Sequence, residues 1–119
     1  METMSITEVG IYTVEDLRAY REQRDDMTVQ LIEGELIVSP SPGLAHQIVH
    51  SRLFGILIAA ASAQQIVLSA PLDVRVGENT VVQPDLMVIH DVDRHGSEVT
   101  EPPVLAVEIL SPSSRRTDL

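Results

Sequence analysis

The sequence contains no cysteine and no lysine, since all eight of its basic residues are arginine. Without cysteine the chain forms no disulfide or thiolate zinc site and has no thiol nucleophile. Without lysine it has no P-loop lysine, no Schiff-base amine and no lysine partner for a catalytic carboxylate. Any metal must be held by oxygen or imidazole, and the lack of cysteine predicts a reducing, cytoplasmic location.

Long apolar runs are missing as well. The longest, Leu53 to Ala61, is too short to span a bilayer and lies in the middle of the chain. The first ten residues lack the basic segment followed by an apolar segment that marks an export signal. The sequence therefore predicts neither export nor insertion into a membrane.

Positive charge is scarce: 8 basic residues stand against 18 acidic ones, which gives a formal net charge of −10. Strong nucleic-acid binding depends largely on the neutralisation of phosphates by arginine and lysine. A nuclease site is itself acidic because it holds cations, so net charge alone does not exclude one. DNA is a candidate partner that the charge balance does not support.

A length of 119 residues with 44% apolar content predicts one domain over residues 1–119. Thr13 caps a predicted helix that ends near Arg24, and two short strands around Glu33-Gly34 predict a hairpin. After a proline-rich loop, a helix is predicted from Leu44 to Ala63. Its second half is apolar almost all round, so we expect it to pack deep in the fold.

Three β-rich segments follow the long helix. The first two, residues 66–76 and 81–90, are separated by a turn and are expected to pair antiparallel. The third, Val104 to Leu110, is an almost continuous apolar run, typical of a central strand covered on both faces. The predicted fold class is α/β (α+β), with a mixed central sheet flanked by helices.

Only one helix flanks this predicted sheet, and the chain ends soon after a predicted helix cap at Ser111–Ser114. The apolar face of a sheet is normally covered. We therefore expect a domain that is incomplete at its C-terminus. We also expect a homo-oligomer, in which a second copy covers the face of Val104–Leu110.

Two carboxylates fall in apolar surroundings: Glu108 lies within the third run, and Asp85 immediately precedes residues 86–89. A carboxylate in a covered strand must be paired, protonated or bound to a cation. Carboxylates on adjacent strands supply the hard oxygen ligands that Mg²⁺ prefers. Alternatively, both acids only form salt bridges with arginines such as Arg75 or Arg52, or lie in water at strand ends. The residues alone leave both interpretations open.

Three ordered blocks resemble the Uma-two family of restriction-endonuclease-like proteins, in the PD-(D/E)XK nuclease superfamily. They are LIEGELIVSPSPGLAHQIV, APLDVRVGENTVVQPDLMVI and PPVLAVEILSPSSRRTDL, and the resemblance covers about Tyr12 to Leu119. It implies a restriction-endonuclease-like fold and assigns the two signature acids to Asp85 and Glu108. It further implies that the Ile109 carbonyl helps to hold Mg²⁺ or Mn²⁺, that a water is activated there, and that the substrate is a DNA phosphodiester.

Two positions depart from the family's pattern. The signature's lysine would stand two residues after Glu108, where this sequence has Leu110. In the family a lysine further along takes its place. The first hairpin has Val29-Gln30 where the family usually has Tyr-Glu. The acidic side chain that the family usually has at the second of these positions is therefore absent. Glu33 and Glu35 remain nearby, but charges in a hairpin turn are typically solvated.

His46 matches a histidine that the family often carries at the start of the long helix, and a neutral imidazole there could orient a carboxylate or a water. It is equally typical of a solvated helix-start histidine. His46 and His50 lie four apart, as in zinc proteases, but Gln47 replaces the glutamate that those enzymes require. Arg115-Arg116 fits either a helix-start charge or a phosphate contact.

The sequence thus predicts a divalent-metal-dependent endonuclease with Asp85, Glu108 and His46 as catalytic residues. Asp85, Glu108 and Ile109 are the predicted ligands of Mg²⁺ or Mn²⁺. The alternative is a catalytically inactive nuclease-fold protein that acts as an interaction or assembly module, which the acidic charge and the absence of lysine favour. Because no lysine stands near Glu108, these 119 residues are expected to form a poor nuclease.

Overall fold

The computed structural model describes residues 4–6 and 12–110, and for residues 4–6 it describes the backbone only. The predicted cap at Ser111–Ser114 and the pair Arg115-Arg116 lie outside the described residues. The elements, in chain order, are β1 (Met4–Ile6), α1 (Val14–Gln23), β2 (Met27–Ile32), β3 (Glu35–Pro40), α2 (Leu44–Ala60), β4 (Gln65–Ser69), β5 (Val74–Arg75), β6 (Val81–Val82), β7 (Leu86–His90), a 3₁₀ turn (Asp91–Asp93) and β8 (Leu105–Val107).

The described residues fall into two compact units. The first contains the residues through Pro42 together with Val76–Val82, and the second contains Gly43–Arg75 and Gln83–Ile109. Each unit combines one of the helices with antiparallel strands. The mixed α+β class expected from the sequence is therefore confirmed.

The first unit is built on the predicted hairpin. β2 and β3 pair antiparallel from Met27↔Pro40 to Ile32↔Glu35. The two residues of the turn, Glu33 and Gly34, have φ angles of 49° and 81°. Positive φ at both central residues matches the twist of the flanking strands in a two-residue hairpin, which favours glycine. β1 pairs with β3 and β6 pairs with β2, so the strand order within this unit is β1-β3-β2-β6.

Alternate side chains of the hairpin point toward α1, as the period of two along a strand requires. Leu17 supplies the buried residue of α1 and is only 1% exposed. Tyr12, Val14, Tyr20 and Met27 pack around this core as partly buried residues. The buried cluster consists of Leu17, Val29, Leu31, Leu36, Val38 and Val81.

The N-terminus of α1 is capped by two reciprocal hydrogen bonds. Removing one of them tests the fold. The Asp16 N–H donates to Thr13 Oγ1 at 3.2 Å, and the Thr13 N–H donates to Asp16 Oδ2 at 2.9 Å. Thr13→Ala removes the capping oxygen and is expected to lower the free energy of unfolding by about 1 kcal/mol. Thr13→Ser keeps that oxygen and serves as the control in urea denaturation. Equal losses in the two variants would contradict a capping role.

The second unit contains an antiparallel sheet of three strands in the order β4-β7-β8. β4 pairs with β7 from Gln65↔His90 to Ser69↔Leu86. The expected antiparallel pairing of these two segments is therefore confirmed, although the strands are shorter than predicted. β5 lies between them in sequence, and its Val74 forms a parallel bridge to Val99.

The central strand of this sheet is β7, so the prediction that Val104–Leu110 forms a doubly covered central strand is wrong. Residues 86–89 of β7 are all buried. Among the described strands β8 pairs only with β7, and its Leu105 is 43% exposed. Both runs are apolar, and an apolar run indicates a strand without indicating which run lies in the middle.

The prediction that the long helix packs deep in the fold is also wrong. α2 ends at Ala60 rather than Ala63, and none of its residues is buried. It packs on β4 with a face that includes the half-buried Leu53 and Leu57, while Ile56 is 63% exposed. The described sheet covers one side of the helix only, whereas its apolar composition is suited to cover on both.

Candidate functional site

The two predicted acids stand at the same end of neighbouring strands in the second unit. Asp85 immediately precedes β7 and Glu108 immediately follows β8, and the register pairs Leu86 with Val107 between them. The Asp85 N–H donates to Glu108 Oε1 at 3.1 Å, and the Ile109 N–H donates to Asp85 Oδ2 at 2.7 Å. Each carboxylate is therefore oriented by the backbone of the strand that carries the other.

His46 completes this cluster from the start of α2. Its Nε2 lies 3.2 Å from Asp85 Oδ1, and the side chains of His46 and Asp85 are 14% and 22% exposed. An ionised carboxylate only accepts hydrogen bonds, so Nε2 carries the hydrogen in this contact. The other ring nitrogen, Nδ1, is buried without a hydrogen-bond partner in the described chain. Among the described residues, the hydrogen-bond partner of the His46 ring is therefore Asp85.

Burial of the Glu108 carboxyl raises its pKa above the ordinary value, and the negative charge of Asp85 raises this pKa further. The hydrogen bond from the Asp85 backbone and the charge of a protonated His46 lower the pKa, but by less. Glu108 keeps enough accessible surface to exchange its proton with solvent. The site thus holds two close carboxylates whose ionised forms repel each other, a condition that a bound cation relieves.

Glu108→Gln is expected to raise the melting temperature at neutral pH. The folded pKa of Glu108 lies above its unfolded value, so the residue's favourable contribution is fully present below the unfolded pKa and is lost as pH rises through the folded pKa. Glutamine removes the partly desolvated charge but still accepts the Asp85 N–H. The gain should shrink as pH falls through the raised pKa, because wild-type Glu108 then becomes protonated.

Thermal melts of wild type and Glu108→Gln between pH 4 and pH 8, without divalent metal, measure this effect. Glu101→Gln is the matched control, since Glu101 is exposed and lies on the loop before β8. A difference in melting temperature between wild type and Glu108→Gln that grows toward acid pH would contradict the direction of the pKa shift.

A second contact of α2 lies beside this cluster and was not predicted from the sequence. His50 Nε2 lies 2.8 Å from the hydroxyl of Ser69, the last residue of β4, which pairs with Leu86. The next residue, Ala70, donates its N–H to the main-chain carbonyl of Asp85 at 3.1 Å. The one-turn spacing of His46 and His50 was the available signal, since it places both rings on one helical face.

The histidine pair does not have the arrangement of a zinc site. His46 contacts Asp85 and His50 contacts Ser69, so the two Nε2 atoms have separate partners. Within residues 12–110, no group of three or more histidine and acidic side chains has the geometry to hold a metal ion. Mg²⁺ needs less from a protein, because it is often held by one or two carboxylates together with water and substrate phosphates. The donor set of Asp85 and Glu108 fits that kind of site.

The alternative interpretation was that both acids form salt bridges with arginines or lie in water at strand ends; Glu108 is exposed directly after β8, but the described side chains form no such salt bridge. No arginine of the described chain makes an ion pair with Asp85 or Glu108, and Arg75 lies 3.7 Å from Glu98 instead. Ile109 contributes its N–H to the cluster, and the metal-binding role of its carbonyl stays a prediction. The chemical roles of Asp85, Glu108 and His46 likewise stay predictions.

A cleft of about 350 Å³ lies elsewhere in the second unit. Its floor is aliphatic, with Ile66, Leu68, Leu72 and Ile89, and its rim is the loop Asp93–Val99. None of the clustered site residues lines it. The candidate chemistry therefore lies at the ends of the strands and not in this cleft.

The second unit thus carries an aspartate and a glutamate at adjacent strand ends of its antiparallel sheet. The model of the Uma2 family, described as "Putative restriction endonuclease", matches residues 14–119, and the chain therefore belongs to this family. A search of curated proteins found no match. Neither described helix is long and apolar enough to cross a membrane.

Proposed function

We propose that this protein is a divalent-metal-dependent endonuclease that hydrolyses DNA phosphodiester bonds, with Asp85 and Glu108 as the ligands of Mg²⁺ or Mn²⁺. The observation that carries the proposal is the reciprocal contact of the two acids at neighbouring strand ends, without an arginine counter-charge among the described residues. Membership of a restriction-endonuclease family supports it. The resemblance adds the Ile109 carbonyl as a third ligand.

The protein's own groups have separate tasks in this proposal. The Ile109 N–H and His46 Nε2 fix the two oxygens of Asp85, so that this carboxylate is oriented before any ligand arrives. Without a metal, desolvation and the charge of Asp85 raise the pKa of Glu108, and a bound cation would favour its ionised form. A bound divalent cation would supply positive charge to the phosphate and activate a water. His46 is a positioning residue for Asp85.

A second candidate function is a catalytically inactive interaction or assembly module. The observations that favour it are the net charge of −10 and the complete absence of lysine. A polyanionic substrate gains little from such a surface. We also propose a cytoplasmic location, which the lack of cysteine supports. Metal binding distinguishes the two functions, because an assembly module has no need of it.

A plasmid-nicking assay with Mn²⁺ tests the proposed function. The wild-type chain should nick supercoiled DNA slowly, and Glu108→Gln should abolish the nicking while Glu101→Gln leaves it unchanged. Nicking that survives Glu108→Gln would contradict the assignment of the site. Wild-type protein that neither nicks DNA nor binds Mn²⁺ would favour the assembly module.

A further inference from the structure

The half-buried face of α2 carries both histidines of that helix. Its residues recur at helical spacing and are His46, His50, Leu53, Phe54 and Leu57. The three toward the C-terminus are apolar, which suits packing on β4. The two toward the N-terminus are polar, and each contacts a residue at the strand ends where Asp85 stands. Near the candidate site, α2 is therefore joined to the sheet by hydrogen bonds.

His50 is held between a hydroxyl group and an aromatic ring. Its Nε2 lies 2.8 Å from Ser69 Oγ, and its ring stacks on Phe54 with the ring centres 6.1 Å apart. The Ser69 hydroxyl also donates to the main-chain carbonyl of Ala70 at 3.2 Å. A hydroxyl has only one hydrogen to donate, so both contacts are made when His50 Nε2 carries the ring hydrogen and donates it to Ser69.

The same series of hydrogen bonds continues to Asp85. The Ala70 N–H donates to the main-chain carbonyl of Asp85 at 3.1 Å, one residue beyond the last β4–β7 pair, Ser69↔Leu86. Ala70 is thus held at its carbonyl by Ser69 and at its N–H by Asp85. Hydrogen bonds therefore connect His50, through Ser69 and Ala70, with the main chain of Asp85.

We propose that His50 is a positioning residue for Asp85, which it holds by the main chain while His46 holds the carboxylate. The proposal rests on the proposed function, because Asp85 is one of the two ligands assigned there to Mg²⁺ or Mn²⁺. α2 then fixes Asp85 at two points, through histidines one helical turn apart. Groups that orient a metal ligand typically change metal affinity about 10- to 100-fold when they are removed.

A serine and a histidine 2.8 Å apart could also form a nucleophilic pair, but the surroundings of these two do not favour one. The hydrogen of the Ser69 hydroxyl is directed to the Ala70 carbonyl and not to the histidine. Nucleophilic pairs also use a third group to orient the base, whereas the other described neighbour of the His50 ring is the hydrocarbon ring of Phe54.

Two substitutions of His50 separate the hydrogen bond from the packing. His50→Phe keeps an aromatic ring beside Phe54 but has no donor, and it should weaken Mn²⁺ binding about tenfold in a calorimetric titration. His50→Gln keeps an N–H donor and should bind Mn²⁺ almost as wild type does. Ser69→Ala should reproduce the loss seen in His50→Phe, and the double variant should lose no more than either single variant.

Leu57→Ala is the matched control for a purely structural effect. Leu57 is half-buried on the same face of α2, two helical turns from His50, and takes no part in the hydrogen bonds to Asp85. Its truncation should lower the melting temperature through lost packing and leave the affinity for Mn²⁺ unchanged.

Hydrogen exchange of the metal-free protein measures the positioning without any metal. The Ala70 amide should exchange about tenfold faster in His50→Phe than in wild type, because the loss of one hydrogen bond makes local opening easier. The Asp91 amide, which donates to the Gln64 carbonyl at the other end of the β4–β7 pair, is the internal control and should not change.

Unchanged exchange at Ala70, unchanged Mn²⁺ affinity in His50→Phe, or equal losses of affinity in His50→Phe and Leu57→Ala would overturn the proposal. Nicking that Ser69→Ala abolishes at unchanged Mn²⁺ affinity would assign Ser69 to the chemistry and overturn it too. A wild type that binds no Mn²⁺, although His50→Phe speeds exchange at Ala70, would contradict the proposed function and still support the positioning of Asp85 by His50.

Discussion

Leu110→Lys should increase Mn²⁺-dependent nicking of supercoiled plasmid about a hundredfold, because a positioned cation stabilises the charge that develops on the phosphate. The chain has no lysine, and Leu110 occupies the position, two residues after Glu108, where the superfamily signature places one. Leu110 is 64% exposed, so the longer lysine side chain needs no cavity. A lysine at position 110 would complete the signature and leave Asp85 and Glu108 unchanged.

Two further variants show whether a gain comes from the added charge at this site. Leu110→Met keeps the size of the side chain without the charge and should leave the rate unchanged. Glu108→Gln combined with Leu110→Lys should return nicking to background. A gain that persists in the double variant would mean that the lysine acts only by attracting DNA to an acidic protein.

Asp85→Asn should weaken Mn²⁺ binding at least ~100-fold in a calorimetric titration, since substitutions even of groups that only support a ligand cost 10- to 100-fold. Asparagine retains an oxygen that accepts the Ile109 N–H, so the strand ends should keep their arrangement. What is lost is the negative charge that a hard divalent cation requires.

Asp73→Asn is the matched control for this loss. Asp73 is a half-buried acid of the same unit and accepts a hydrogen bond from Gln83 at 2.9 Å. Its replacement should leave Mn²⁺ affinity unchanged. Equal weakening by Asp73→Asn and Asp85→Asn would indicate diffuse attraction of cations to an acidic chain, and would remove Asp85 from the metal site.

Local sequence patterns predicted the elements whose partners lie close in the chain. The hairpin followed from Glu33-Gly34, because a two-residue turn fixes the register of the strands on either side. The sequence predicted Asp85 and Glu108 as site residues because a carboxylate in an apolar strand needs a partner. Their juxtaposition then depends on a pairing register that places Leu86 against Val107. Only the structure supplies that register.

The sequence did not predict features that depend on which neighbouring element packs against a given strand or helix. The runs at 86–89 and 104–110 are both largely apolar, and pattern alone did not show that β7 lies between β4 and β8 among the described strands. The apolar composition of α2 predicted burial on all sides, but the described chain covers one side only. The His50–Ser69 contact was missed because helical spacing gives the face of a residue and not the strand residue opposite it.

The central claim is that Asp85 and Glu108 form a metal site, and paramagnetic broadening by Mn²⁺ in an amide NMR spectrum tests it most directly. At a substoichiometric amount of Mn²⁺, the amide signals of Asp85 and Ile109 should broaden first, and Asp85→Asn should remove this selectivity. Broadening that begins instead at the acidic pair Asp25-Asp26 in the first unit, or that spreads evenly over the acidic surface, would contradict the account.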